Sequence, residues 1–187
     1  MPSVNEYLFF ENKNIQGANN SISYIDSNGG LYNSHLYANN ARAKNPYTFW
    51  PDINGNFLVN CINRENPEVE ADYAWVYFSL SAPSYYDKKD IYITGMFNNY
   101  KLTAENKMEY NSKKGLYEKA IMIKQGFTNY KYVIADQFGK IDEENAIDGN
   151  FFQTENNYFA IIYYRENNQR YDRVIGKGVA SSLNVTN

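Results

Sequence analysis

Aromatic side chains spaced by asparagine restrict this sequence more than any other feature. Nineteen Tyr, eleven Phe and two Trp make up 17% of the 187 residues, and 28 Asn fall among them. Aromatic rings lose freedom in a helix but pack well on a pleated, half-buried surface. Asn bonds its own local backbone and tolerates positive φ, which suits turns. Many short strands joined by Asn-rich turns are therefore expected, that is, an all-β protein. Codon bias in an AT-rich genome would raise the same residues, so part of the excess carries no structural message. Apolar residues at 43% and charged residues at 21% are enough for a real core in one large domain or two small ones.

Several classes of function are disfavoured at once. The net charge of −3 is the wrong sign for a protein that wraps nucleic acid phosphates. A single cysteine, Cys61, allows no internal disulfide, and a single histidine, His35, allows no site with two His ligands. No run reaches the ~18–20 apolar residues of a membrane-spanning helix. Met1–Glu6 has no basic n-region and no long apolar run, so it does not read as a signal peptide. The pattern enters a strand almost at once at Glu6–Glu11, as a piece of a longer precursor would.

The strands expected are 6–11, 21–26, 31–37, 57–62, 72–80, 90–97, 116–124, 127–136 and 157–164. Asn28-Gly29 between two apolar runs signals a hairpin. Gln125-Gly126 predicts a second tight hairpin, and Asp136–Lys140 a turn. Residues 38–55 read as an irregular loop. In 72–80, Ala74, Val76, Phe78 and Leu80 alternate with Tyr73, Trp75 and Tyr77, so both faces are heavy and the strand should be central. The polar stretch Asn63–Glu70, with Pro67, predicts a linker at 63–70. The expected organisation is thus 1–62 as the last strands of an upstream β-domain, 71–165 as an immunoglobulin-like β-sandwich, and 166–187 as a polar tail.

No enzymatic constellation emerges. His35 has no nucleophile or orienting acid near it in sequence and reads as a strand residue. Cys61 ends an apolar run and reads as inert packing. Asp142-Glu143-Glu144 with Asp148 lacks the ligand spacing of a calcium loop and reads as a solvated acidic turn. Neither Gly29-Gly30 nor Gly176-Lys177-Gly178 has the spacing of a phosphate loop. No catalytic residue, metal or cofactor is expected. Exposed aromatics are the remaining resource, with Trp50, Tyr100, Phe138 and Tyr158 as candidates for stacking on sugars or anchoring an interface.

Two resemblances meet in the second half. Ile91-Tyr92-Ile93-Thr94-Gly95-Met96-Phe97-Asn98-Asn99-Tyr100, Tyr130-Lys131-Tyr132 and Thr154-Glu155-Asn156-Asn157 resemble motifs of the glycogen-binding modules of AMP-activated kinase β-subunits, which are early-set immunoglobulin-like domains. That resemblance implies an α-glucan site at Tyr100, Lys131, Phe138 and Thr154 or Asn156, with Tyr and Phe where the family stacks sugars on Trp.

The second resemblance covers nearly the whole chain. It rests on an ordered series: Pro46–Phe49, Asp52–Phe57, Glu70–Phe78, Gly95–Tyr100, Lys124–Tyr130, Asp148–Asn156, Tyr163–Arg165 and Arg170–Gly176. In this order the motifs are similar to the C-terminal half of the type IX secretion system plug protein family of Bacteroidota, whose members are roughly twice this length. The resemblance implies a non-enzymatic periplasmic protein associated with the outer membrane. Its partner would be the β-barrel translocon, whose periplasmic side it closes. A glycan is the alternative ligand. Arg170, Tyr171 and Arg173 are candidate docking residues, since Arg and Tyr often anchor interfaces; the bland alternative is that the arginines pair with Asp172 and Glu166.

Overall fold

The computed structural model describes residues 5–62, 64–82 and 89–182. Their elements are β1 (Leu8–Glu11), β2 (Ile22–Asn28), β3 (Leu31–Leu36), β4 (Asn39–Asn40), β5 (Phe57–Val59), the single helical turn α1 (Pro67–Glu70), β6 (Tyr73–Ser81), β7 (Asp90–Thr94), β8 (Glu109–Asn111), β9 (Leu116–Lys124), β10 (Gly126–Ala135), β11 (Asn157–Tyr164) and β12 (Arg173–Ser181). The fold is all-β, as the aromatic and asparagine content requires. In one four-stranded sheet β10 is the common strand, pairing with β1, β5 and β7. The other has six strands, ordered β2-β3-β6-β9-β8, with β4 also along β6.

The two sheets form a sandwich over one core. Phe10, Ile93, Tyr130 and Ile134 enter it from the first sheet, and Ile22, Val76, Phe78 and Leu80 from the second. Phe78 meets Tyr130 edge-on at 5.0 Å and Phe10 at 5.8 Å, the geometry that ring quadrupoles favour. The alternation in β6 behaves as its sequence predicts. Ala74, Val76, Phe78 and Leu80 are buried, and Tyr73 and Trp75 face outward. The strand is central, antiparallel to β9 and parallel to β3.

Four expectations are corrected. Residues 1–62 are not a separate domain, because β1 pairs Leu8–Glu11 with Phe127–Tyr130 and β3 pairs Asn33–His35 with Trp75–Tyr77. The sandwich expected within 71–165 is completed by these earlier strands. The linker at 63–70 divides nothing; apart from Asn63, which lies outside the described residues, it holds the turn α1. Gln125-Gly126 is not a hairpin either. Strands β9 and β10 belong to different sheets, and the chain crosses between them there. The crossing is clamped by Asn12, whose side-chain Oδ1 accepts from the Gly126 amide at 2.8 Å and whose backbone amide donates to the Gly126 carbonyl at 2.9 Å. The fourth correction, to the polar tail at 166–187, is strand β12; residues 183–187 of that tail lie outside the described residues. The local turn signals fare better. Gly29 and Gly30 close the β2–β3 hairpin with φ of 60° and 86°, the left-handed pair that a two-residue turn needs.

Tyr130 and Tyr132 are buried, and both hydroxyls donate to Asn39 Oδ1 at 2.8 Å. Burial raises the pKa of both phenols, and burial followed by the Tyr100 hydroxyl does the same for Tyr7. Each of these groups therefore binds its proton more tightly in the folded chain than in the unfolded one. Their contribution is intact below the ordinary tyrosine pKa of about 10 and is lost as pH rises above it. Lys131 has the opposite sign, because burial lowers its pKa, but it is one group against three. Alkaline titration followed by tyrosinate absorbance should thus show a late class of tyrosines that ionises only with unfolding. A single smooth titration of all nineteen, with the fold intact, would contradict this packing.

Candidate functional site

The feature that the sandwich does not explain is the β11–β12 hairpin. Its strands pair only with each other among the described residues. Every residue of β11 is exposed. The register places Phe159 opposite Val179 and Ile161 opposite Lys177 on one face, and Tyr158 opposite Ala180 and Ile162 opposite Gly176 on the other. Phe159 is 73% exposed, Tyr163 61%, Val179 64% and Ile162 57%. Apolar side chains therefore stand in solvent on both faces. Isolated exposed leucines or valines are ordinary, but a contiguous apolar patch marks an interaction site.

Its two ends are tied to each other where the hairpin leaves the body. The Asn156 amide donates to Ser182 Oγ at 2.8 Å, and the Ser182 amide returns a bond to the Asn156 carbonyl at 2.9 Å. Its end is charged. Arg165 grips Asp172 through Nε at 2.8 Å and a terminal nitrogen at 3.0 Å, and Arg173 meets Glu166 at 2.8 Å. From 157 to 181 there are four basic and two acidic side chains, a net +2 in a chain of net −3. The result is an apolar ribbon with a basic end.

Of the candidate docking residues, Arg173 is ion-paired as the bland reading expects, while Tyr171 is 62% exposed. Arg170 is exposed and has no ion pair among the described residues. Exposed pairs of this kind contribute about 0–1 kcal/mol, so the arginines are dispensable for the fold. The stronger anchors are Phe159, Ile161, Ile162 and Tyr163, which the sequence reading placed in a sandwich strand. Their signal was present as the uninterrupted apolar run of β11, which fits a buried strand and an uncovered one equally well. A two-stranded hairpin is marginal by itself. Hydrogen exchange should therefore find the amides of β11 and β12 far less protected than those of β6 and β10. Equal protection would mean that the hairpin is already covered.

The residues of the glucan reading do not assemble as that reading requires. Tyr100 and Lys131 do meet, but the Lys131 ammonium lies over the Tyr100 ring at 5.9 Å and over the Tyr7 ring at 5.5 Å. It thereby covers one face of each ring. The Tyr100 hydroxyl also donates to the Gly55 carbonyl at 3.3 Å, holding down the loop before β5. Asn129 holds the same loop, its Oδ1 accepting from the amides of Ile53 at 2.7 Å and Gly55 at 3.3 Å. Phe138 stands 85% exposed in the turn beyond the end of β10 and takes no part in this cluster. Thr154 is buried, and the Asn156 side-chain amide donates to its carbonyl at 2.9 Å, so both are spent on the root of the hairpin. Tyr7, Ile53 and Asn129 are the structural partners that sequence reading missed, because they come from distant segments.

The acidic cluster is only half solvated. Glu143 and Glu144 are exposed, but Asp142 pairs with Lys89, and the Asp148 carboxylate is buried against Arg42 Nε at 2.8 Å. Cys61 is buried and unbridged. Among the described residues no three His, Cys, Asp or Glu side chains gather as metal ligands, and no helix is long and apolar enough to cross a membrane.

A solved structure of a hypothetical protein from Parabacteroides merdae is similar to 97% of this chain, with a TM-score of 0.85 and 32% sequence identity. The chain spans 45% of the length of that protein. No protein-family model and no curated protein matches the chain.

Proposed function

We propose that this chain is a non-enzymatic docking protein: a plug component of the type IX protein secretion system, associated in the periplasm with the outer-membrane β-barrel translocon and closing its periplasmic side. The observation that carries this reading is the β11–β12 hairpin, an apolar ribbon exposed on both faces that leaves the sandwich at one end, where Asn156 and Ser182 close it. A plug must leave without unfolding, and the sandwich core is complete without any residue of the hairpin. Tyr and Phe on a strand supply contact area at low entropic cost, and a slender hairpin buries little enough to release. Two further facts support it. Parabacteroides belongs to Bacteroidota, and the matched protein is roughly twice as long as this chain, as members of the plug family are. The alternative, α-glucan binding at Tyr100, Lys131 and Phe138, has no comparable observation behind it.

The test is capture from detergent-solubilised outer membranes of a Bacteroidota host. The baits are the tagged chain and a variant in which Asn-Gly replaces residues 157–181. The intact bait should recover the translocon barrel and the shortened bait should not. Recovery of no barrel, or equal recovery by both baits, would overturn the proposal. The double variant Arg170→Ala, Arg173→Ala should weaken capture while changing stability by less than about 0.5 kcal/mol. A large loss of stability would make the arginines structural instead.

A further inference from the structure

A second surface lies on the outward face of the six-stranded sheet, and it owes nothing to the hairpin. Tyr24 of β2, His35 of β3 and Tyr77 of β6 form a cross-strand ladder of stacked rings. The centroids are 4.1 Å apart at 9° for the first pair and 4.3 Å apart at 18° for the second. The stack is braced on one side by Asp26, whose Oδ2 lies 3.0 Å from His35 Nε2. The next strand, β9, sets Ala120 opposite Tyr77. The ladder therefore stops where a methyl group stands in place of a ring. Above Ala120 opens a groove of about 1020 Å³. Adjacent strands lie about 4.7–4.9 Å apart, so a ring over Ala120 would continue the stack at nearly its own pitch.

We infer that this vacant rung receives an aromatic side chain of a partner polypeptide, stacked on the outer face of Tyr77. The chemistry of the groove favours an aromatic residue beside acidic ones. Lys113, Lys114 and Lys119 line it against Glu109 and Glu118. Glu118 is already committed, accepting from Lys114 Nζ and Asn111 Nδ2 at 2.8 Å each. Lys113 is exposed and has no ion pair among the described residues. The lip is thus net basic, while the slot itself is aromatic on one side and small at its floor, where Ser79 and Ala120 meet it.

The single histidine of the chain makes the test direct, since its imidazole resonances report on this stack alone. The intact chain is titrated with Gly-Trp-Gly, Gly-Leu-Gly, Asp-Trp-Asp, Lys-Trp-Lys and maltotriose, and the His35 and Tyr ring resonances are followed by NMR. The Trp peptides should shift them saturably and Gly-Leu-Gly should not. Asp-Trp-Asp should bind at least about threefold more tightly than Lys-Trp-Lys at low salt. Ala120→Phe fills the rung from within. It should remove the saturable shift while leaving thermal stability equal or higher, because it adds a cross-strand ring pair. Equal shifts with Gly-Leu-Gly, undiminished binding by a folded Ala120→Phe chain, or a response to maltotriose alone would each overturn the inference. Replacing residues 157–181 should leave every one of these shifts unchanged, so failure here and failure of the hairpin proposal are told apart.

Discussion

Gly126→Ala should lower stability by about 3 kcal/mol, clearly more than Gly115→Ala. Both glycines have positive φ, 150° at Gly126 and 70° at Gly115. Holding a residue with a Cβ in a left-handed conformation costs roughly 1–2 kcal/mol, and Gly115 has no neighbour within 4 Å to add to that. Gly126 sits where the chain leaves one sheet for the other. A Cβ there would run into the Leu58 carbonyl oxygen, which is backbone and cannot rotate away. Relief would require β5 to part from β10, a pairing that spans Gly126–Thr128 and Phe57–Val59. It would also disturb the Asn12 clamp. Urea unfolding of the two variants, read as midpoint and slope, measures the difference. Equal losses would mean that the crossing has room to spare and that backbone conformation alone matters.

The second large effect falls on binding and spares the fold. The double variant Ile161→Asp, Tyr163→Ala places a charge and a gap in the middle of the exposed ribbon. Anchors at the centre of an interface commonly cost 2 kcal/mol or more when truncated, so affinity for the solubilised translocon should fall at least about thirtyfold. Ile161 is 54% exposed and Tyr163 61%, so little buried area is lost in the unbound chain. Unfolding free energy should move by no more than about 0.5 kcal/mol. The same truncation in the core, Phe78→Ala, should cost about 3–5 kcal/mol, because Phe78 is 1% exposed and wedged between Phe10 and Tyr130. A hairpin variant that loses stability on the scale of Phe78→Ala would show the ribbon to be packed, and the docking proposal would fail with it.

What the sequence discloses and what it conceals follow from range. Strand β6 is legible because its alternation is local and both of its faces are used. The Gly29-Gly30 turn is legible because left-handed φ at two successive residues is a local demand. The division at 63–70 misleads because the pairings that cancel it, Leu8 with Tyr130 and Asn33 with Trp75, join segments far apart in the chain. No local pattern encodes them. The Lys131 clasp escapes for the same reason, since Tyr7 arrives with β1. Strand β12 is hidden by its own composition: Arg173, Gly176, Lys177 and Gly178 dilute the apolar rhythm, and the strand is specified largely by its partner. Strand β11 is legible as a strand but not as a surface. Seven apolar residues in a row describe a strand buried on both sides as well as one bare on both sides, and only the fold decides between them.

Site-specific photo-crosslinking in living Bacteroidota cells tests the central claim most directly. A photoreactive residue is placed at Phe159 or Tyr163 on the ribbon, and in a parallel strain at Val69 on the exposed turn α1. Irradiation should join the ribbon positions, and not the Val69 position, to the outer-membrane translocon barrel. Adducts with the barrel from Val69 but none from either ribbon position, or no adduct with the barrel at all, would contradict the account.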